Sequence, residues 1–92
     1  MTDIKPDQDR RGRLRYRSWH RGTREMDLLL GSFADAYLAD FTEAELNEYE
    51  AILLLSDPDL YNWVTGNQPL PANLAGAVMN RLCQHQFVKK AD

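Results

Sequence analysis

Residues Met26–Phe41 read MDLLLGSFADAYLADF, and this stretch decides the fold. Its apolar positions are Met26, Leu29, Leu30, Phe33, Ala34, Tyr37, Leu38 and Phe41. The steps between them alternate three and one without a break, which is the stripe of an amphipathic helix with one face in a core. Gly31 and Ser32 lie off the stripe, so Gly31 is expected to weaken the helix slightly without breaking it.

Upstream, Arg21–Asp27 reads RGTREMD. Gly22 suits the position just past a helix C-terminus, where the chain often turns left-handed and glycine does so at least cost. Thr23 is placed to cap the helix that follows, and Glu25 falls in its first turn, where negative charge suits the helix dipole. Before this turn, Arg10–Trp19 alternates arginine with Leu14, Tyr16 and Trp19. A lone strand cannot satisfy its backbone groups, so the alternation is read as a short helix whose arginine stems lie over the body. Met1–Asp9 contains Pro6, shows no period and is expected to be a disordered tail.

Downstream, Thr42–Glu45 reads TEAE, a capping box, and Phe41 can staple onto Leu46. A third helix should bury Leu46, Tyr49, Ile52 and Leu53 and leave Glu43, Glu48 and Glu50 largely exposed. The short connection predicts an antiparallel pair with the preceding helix. Asp57 as N-cap and Pro58 at the first helical position predict a fourth helix carrying Leu60, Tyr61, Trp63 and Val64, ended by Gly66. NQPLPAN is a connector. The last helix is expected over Asn73–Phe87, with Leu74, Val78 and Leu82 inward and Met79 and Cys83 beside them. The fold class is therefore all-α, a compact five-helix bundle in a single domain over residues 10–88, with a frayed tail over 89–92.

Composition agrees. With 92 residues, 43% hydrophobic and 10% aromatic, the chain can build one small core. No apolar run reaches the roughly 18 residues of a membrane span. The opening MTDIKPDQD lacks a secretory apolar region, and Asp3, Asp7 and Asp9 argue against a transit peptide, so a cytoplasmic protein is expected. Cys83 is the one cysteine, and with only His20 and His85 no metal-ligand spacing exists; a small packed hydrophobe is the reading. The net charge of −3 hides an asymmetry. Seven of eleven basic residues fall at Arg10, Arg11, Arg13, Arg15, Arg17, Arg21 and Arg24, whereas Glu25–Asn80 holds ten acids and no Lys or Arg. Such a split predicts a solvated basic face that partly pairs with the acidic remainder.

Catalytic chemistry finds little support. No GxSxG, HExxH, CxxC or glycine-rich phosphate loop is present. Glu25 and Asp27, two apart on a helix, point about 200° from each other and cannot converge on one atom. A His20–Glu25 pair would lack a nucleophile or oxyanion site. Tyr16 and Trp19 among the arginines suit stacking on nucleic-acid bases, but the acidic balance opposes that reading.

RGTREMD with the LLLGSFADAYL stripe resembles the RGxxE motif and second helix of the SdhE family, the succinate dehydrogenase assembly factors also called flavinators. SDPDLYNWVTGNQPLP is similar to the family's second signature, and the likeness extends over Arg13–Phe87. The resemblance implies a five-helix protein, not an enzyme, that binds the flavoprotein subunit of succinate dehydrogenase, and in some cases of fumarate reductase. It would promote covalent attachment of FAD to that subunit, binding no cofactor stably itself. Arg21, Gly22, Glu25 and Asp27 are the motif positions that it assigns to the partner, with His20 and Arg17 flanking them. Arg21 would offer a guanidinium fork, Gly22 a close approach, and Glu25 an acceptor, while Asp27 suits a structural part. Many bacterial members carry a second arginine where His20 stands. A monomer is expected when free. Members have also been described as antitoxins, which leaves a regulatory binding module as the alternative, with a nucleic-acid regulator behind it.

Overall fold

A computed structural model describes residues 6–85. Five α-helices follow one another: α1 Pro6–Trp19, α2 Arg24–Tyr37, α3 Glu43–Leu53, α4 Asp57–Thr65 and α5 Ala77–Gln84. Single 3₁₀ turns at Leu38–Asp40 and Ala72–Leu74 extend the ends of the second and fourth connections. The all-α class and the single compact body are as the sequence predicts. The stripe of α2 supplies the centre of the core: Met26, Leu29, Leu30, Phe33, Ala34, Leu38 and Phe41 are buried, and Tyr37 packs at the edge. Leu14, Leu46, Tyr49, Ile52, Leu53, Leu60, Val64, Val78, Met79 and Leu82 close round it.

The caps explain most boundaries. Thr23 Oγ1 accepts from Met26 N (3.3 Å), and the Thr42–Glu45 box is complete in both directions. Gly66 adopts φ +85 and ends α4 in the left-handed conformation, as expected. Cys83 packs half-buried on the core, and burial pushes its thiol up.

Several expectations need correction. Helix α1 starts at Pro6, so the tail expected over Met1–Asp9 is helical from that residue on; the earlier residues lie outside those described. The cap of α4 is Ser56, whose Oγ accepts from Asp59 N (3.3 Å), not Asp57. Asp57 is turned away to a distant partner, as shown below. The segment Asn73–Phe87 is not one helix. Leu74 belongs to the second 3₁₀ turn, and α5 runs only from Ala77 to Gln84, with His85 extended and the rest outside the described residues. Glu48 is not a solvated acid; it supplies the cap that Gly76 lacks.

Gly31 also departs from its expected part. It is buried, and a Cβ there would overlap the indole of Trp19. The missing side chain leaves room for the Trp19 indole of α1 to lie directly on the backbone of α2. Helices α2 and α3, expected to form an antiparallel pair, meet through rings: Phe33 of α2, and Phe41 beyond its end, lie 5.7 and 6.0 Å from Tyr49.

The basic face is largely stitched to the body. Arg10 binds Asn47 and Glu50 (2.7 and 2.8 Å), and Arg15 reaches Asp35 (3.3 Å). Arg11 donates to the carbonyls of Leu38 (2.5 Å) and Phe41 (2.8 Å), tying α1 to the turn that follows α2. Beneath, the Tyr49 hydroxyl lies 2.6 Å from Ser18 Oγ and 3.3 Å from Leu30 O, and Ser18 Oγ lies 2.8 Å from Leu14 O. No buried side-chain polar atom among the described residues lacks a partner.

Candidate functional site

The turn between α1 and α2 is fixed from two directions. Gly22 takes φ +120, a conformation that side-chain-bearing residues rarely adopt. Its N–H and that of Arg21 both donate to Asp27 Oδ1, at 3.3 and 2.6 Å. Two successive amides thus converge on one carboxylate oxygen of the chain itself, which fixes the turn. Asp27 thus ties the turn to the first turn of α2 within the chain.

Arg21 sends its side chain across the molecule. Its Nε and Nη2 donate to Asp57 Oδ1 (3.0 and 2.6 Å), Nη1 to Leu53 O (2.7 Å) and Nη2 to Leu55 O (3.1 Å). Only 11% of its side chain is exposed. The guanidinium lies where the C-terminus of α3 presents unpaired carbonyls, which a cation both caps and complements electrostatically. The expected fork toward a partner is instead spent within the chain, because two carbonyls and a carboxylate already match its donors.

Glu25 is the contrasting member. It is exposed and makes no hydrogen bond or ion pair among the described residues. It borders a shallow depression with Thr23, Met26, Asp57, Pro58 and Tyr61. His20 is exposed, its Nδ1 2.7 Å from Tyr16 O and its ring stacked on Tyr16 at 3.9 Å between centroids. Tyr16 is 64% exposed, an unusual position for a large aromatic. No hydrogen bond joins His20 to Glu25 among the described residues, so the two form no acid–base pair here. Arg17 is partly exposed, 3.9 Å from Glu50. Around Gly22 the space is open: an added Cβ would meet nothing within 4 Å, so backbone conformation alone demands glycine within the monomer.

The structure thus brings Arg17, His20, Arg21 and Asp57 to one depression beside Tyr16, and Glu25 to its neighbour. Asp57 borders both. Sequence reading missed it because its partner lies 36 positions away and no local pattern marks the pair. Among the described residues no group of three or more His, Cys, Asp or Glu could hold a metal ion, and no helix is long and apolar enough to cross a membrane.

The model of a family described as the flavinator of succinate dehydrogenase, Sdh5, matches residues 12–86. The FAD assembly factor SdhE of Acetobacter pasteurianus is 38% identical over 81 residues, covering 88% of this chain and 74% of that protein. The mitochondrial succinate dehydrogenase assembly factor 2 of Scheffersomyces stipitis is 52% identical over 65 residues, covering 67% of this chain and 44% of its own. That of Dictyostelium discoideum is 37% identical over 84 residues, covering 91% and 59%. The chain spans about half the length of these two mitochondrial relatives. Family match and fold agree with the resemblance carried by RGTREMD: this chain belongs to the Sdh5 family, the flavinators of succinate dehydrogenase.

Proposed function

We propose that the protein is an assembly factor that binds the flavoprotein subunit of succinate dehydrogenase and promotes covalent attachment of FAD to it. The observation that carries this reading is the match to the flavinator family over residues 12–86, nearly the whole described chain. The chain contributes a rigid docking surface and no reacting group; the attachment chemistry belongs to the subunit and its flavin, and the protein holds no FAD of its own. Glu25, exposed and with no hydrogen bond or ion pair among the described residues, accepts from a basic group of the subunit. The open space at Gly22 admits the partner's backbone, and His20 and Arg17 border the same face. Arg21 and Asp27 serve the interface by holding the turn.

The protein works as a monomer in the cytoplasm, a reducing compartment suited to a chain with one cysteine. The flavoprotein subunit of fumarate reductase is a second client. The test is deletion in the native host with in-gel flavin fluorescence of both subunits, beside pulldown with the tagged chain. Loss of covalent flavin and capture of the succinate dehydrogenase subunit are expected. Unchanged covalent flavin in the deletion strain overturns the proposal, and an unchanged fumarate reductase subunit removes that client.

A further inference from the structure

Among the described residues, the hydrogen bonds that join the first turn of α4 to the α1–α2 turn run through one side-chain pair. Helix α4 anchors its inner face by Leu60 and Val64, and its backbone packs chiefly on α5. What joins its first turn to the RGTREMD turn is Asp57 Oδ1, which receives both Nε and Nη2 of Arg21. The same guanidinium holds Leu53 O and Leu55 O, so the α3–α4 connection is gripped on both sides of Leu54. On the outer side of this tie, Pro58 and Tyr61 of α4 and Met26 and Glu25 of α2 border one depression. A charge-assisted pair that is three-quarters or more shielded has the strength to fix such a relation, since losing one partner leaves the other charge poorly solvated.

We infer that Asp57 is a positioning residue for partner binding: acting through Arg21, it holds the first turn of α4 against the α1–α2 turn, so that Pro58 and Tyr61 form one docking face with Glu25. This rests on the proposed binding of a flavoprotein subunit. It assigns part of the interface to α4, which the motif at Arg21–Asp27 does not contain. Asp57 itself need not touch the partner; its neighbour Asp59, exposed in the same helical turn, has no such tie and serves as the charge control.

The experiment titrates the recombinant flavoprotein subunit with full-length wild-type chain and with Asp57→Asn, Asp59→Asn, Glu25→Gln and Asp57→Asn/Glu25→Gln, at a temperature where circular dichroism shows each fully folded. Asp57→Asn is expected to weaken binding about tenfold, the loss of one charge-assisted contact, while Asp59→Asn stays within about twofold. The double variant should bind more tightly than the product of the two single losses requires, because Glu25 is already misplaced once the tie is cut. Asp57→Glu, which keeps the charge, should recover part of the affinity, and it replaces Asp57→Asn in the cycle if that variant melts below the assay temperature. Unchanged affinity in the folded Asp57 variant, equal losses at Asp57 and Asp59, or strictly multiplicative losses with Glu25 overturn the inference alone. A wild-type chain that does not bind the subunit overturns the proposed function and this inference with it.

Discussion

Glu48 Oε2, on α3, lies 3.0 Å from the backbone nitrogen of Met79 on α5 and 3.1 Å from that of Val78. Gly76 offers no side chain to cap α5, so a carboxylate from another helix takes the place of a local one. The bond is charge-assisted and sits at the positive end of the helix dipole. Glu48→Ala is therefore expected to cost about 2 kcal/mol. Thermal unfolding should fall by roughly 8–16 °C at that cost for a domain of this size. Glu48→Gln, which keeps one acceptor, should lose less. Equal stability of wild type and Glu48→Ala in urea titration would show that water replaces the cap without penalty.

Gly31→Ala tests the contact with Trp19. Helix propensity alone predicts a gain of up to about 1 kcal/mol at this position. The overlap of an added Cβ with the indole predicts the opposite, a net loss of about 1–3 kcal/mol as the ring is displaced. Denaturant titration gives the sign. In a Trp63→Phe background, the emission of Trp19 should also shift to longer wavelength as its ring becomes wetter.

Tyr49 should ionise late. Burial is the main cause that pushes its hydroxyl up from 10.0 to about 12, against the lowering effect of the Ser18 hydrogen bond. An unfolded tyrosine releases its proton near the ordinary value, so the contribution is whole below pH 10.0 and is lost as pH rises toward about 12. Tyr49→Phe should flatten the alkaline arm of the stability profile. It should also cost about 1 kcal/mol at neutral pH, because the hydroxyl's hydrogen bonding with Ser18 and Leu30 O is lost. Ultraviolet titration of phenolate follows the ionisation directly.

His85 acts at the other end of the scale. Burial lowers its pKa from the usual 6.5, and its Nε2 lies 2.9 Å from Ser32 Oγ. Its ring meets Phe33 and Tyr37 edge-on, which shields it from water. The folded state therefore prefers the neutral imidazole. That preference stabilises above pH 6.5 and is lost as pH falls below 6.5 through the lowered folded value. His85→Asn should remove this component of the acid arm, read as the difference between urea midpoints at pH 7 and pH 5.5.

The α2 stripe, the Thr42 capping box and the Gly66 stop were legible because each is a local pattern, set by the 3.6-residue period or by groups within four positions. Gly22 was legible for the same reason, since its backbone requirement arises inside its own turn. The motif likeness brought the family into view and pointed to Arg21, Gly22, Glu25 and Asp27 together. It did not separate their physical parts.

That separation was decided by tertiary structure. Nothing near Arg21 in the sequence says that its guanidinium ends on Asp57, or that Glu48 caps a helix some 30 positions later. Such bonds depend on which helices lie side by side, and that depends on how Trp19, Gly31, Phe33 and Tyr49 fill space between them. The sequence by itself determined which segments are helical, which faces are apolar, and where glycine and threonine mark the ends. Only the packing decided which charges would be spent inside the molecule and which, Glu25 foremost, would be left facing out. A charged side chain takes whatever partner the assembled core brings within about 3 Å, and no local rule specifies that partner in advance.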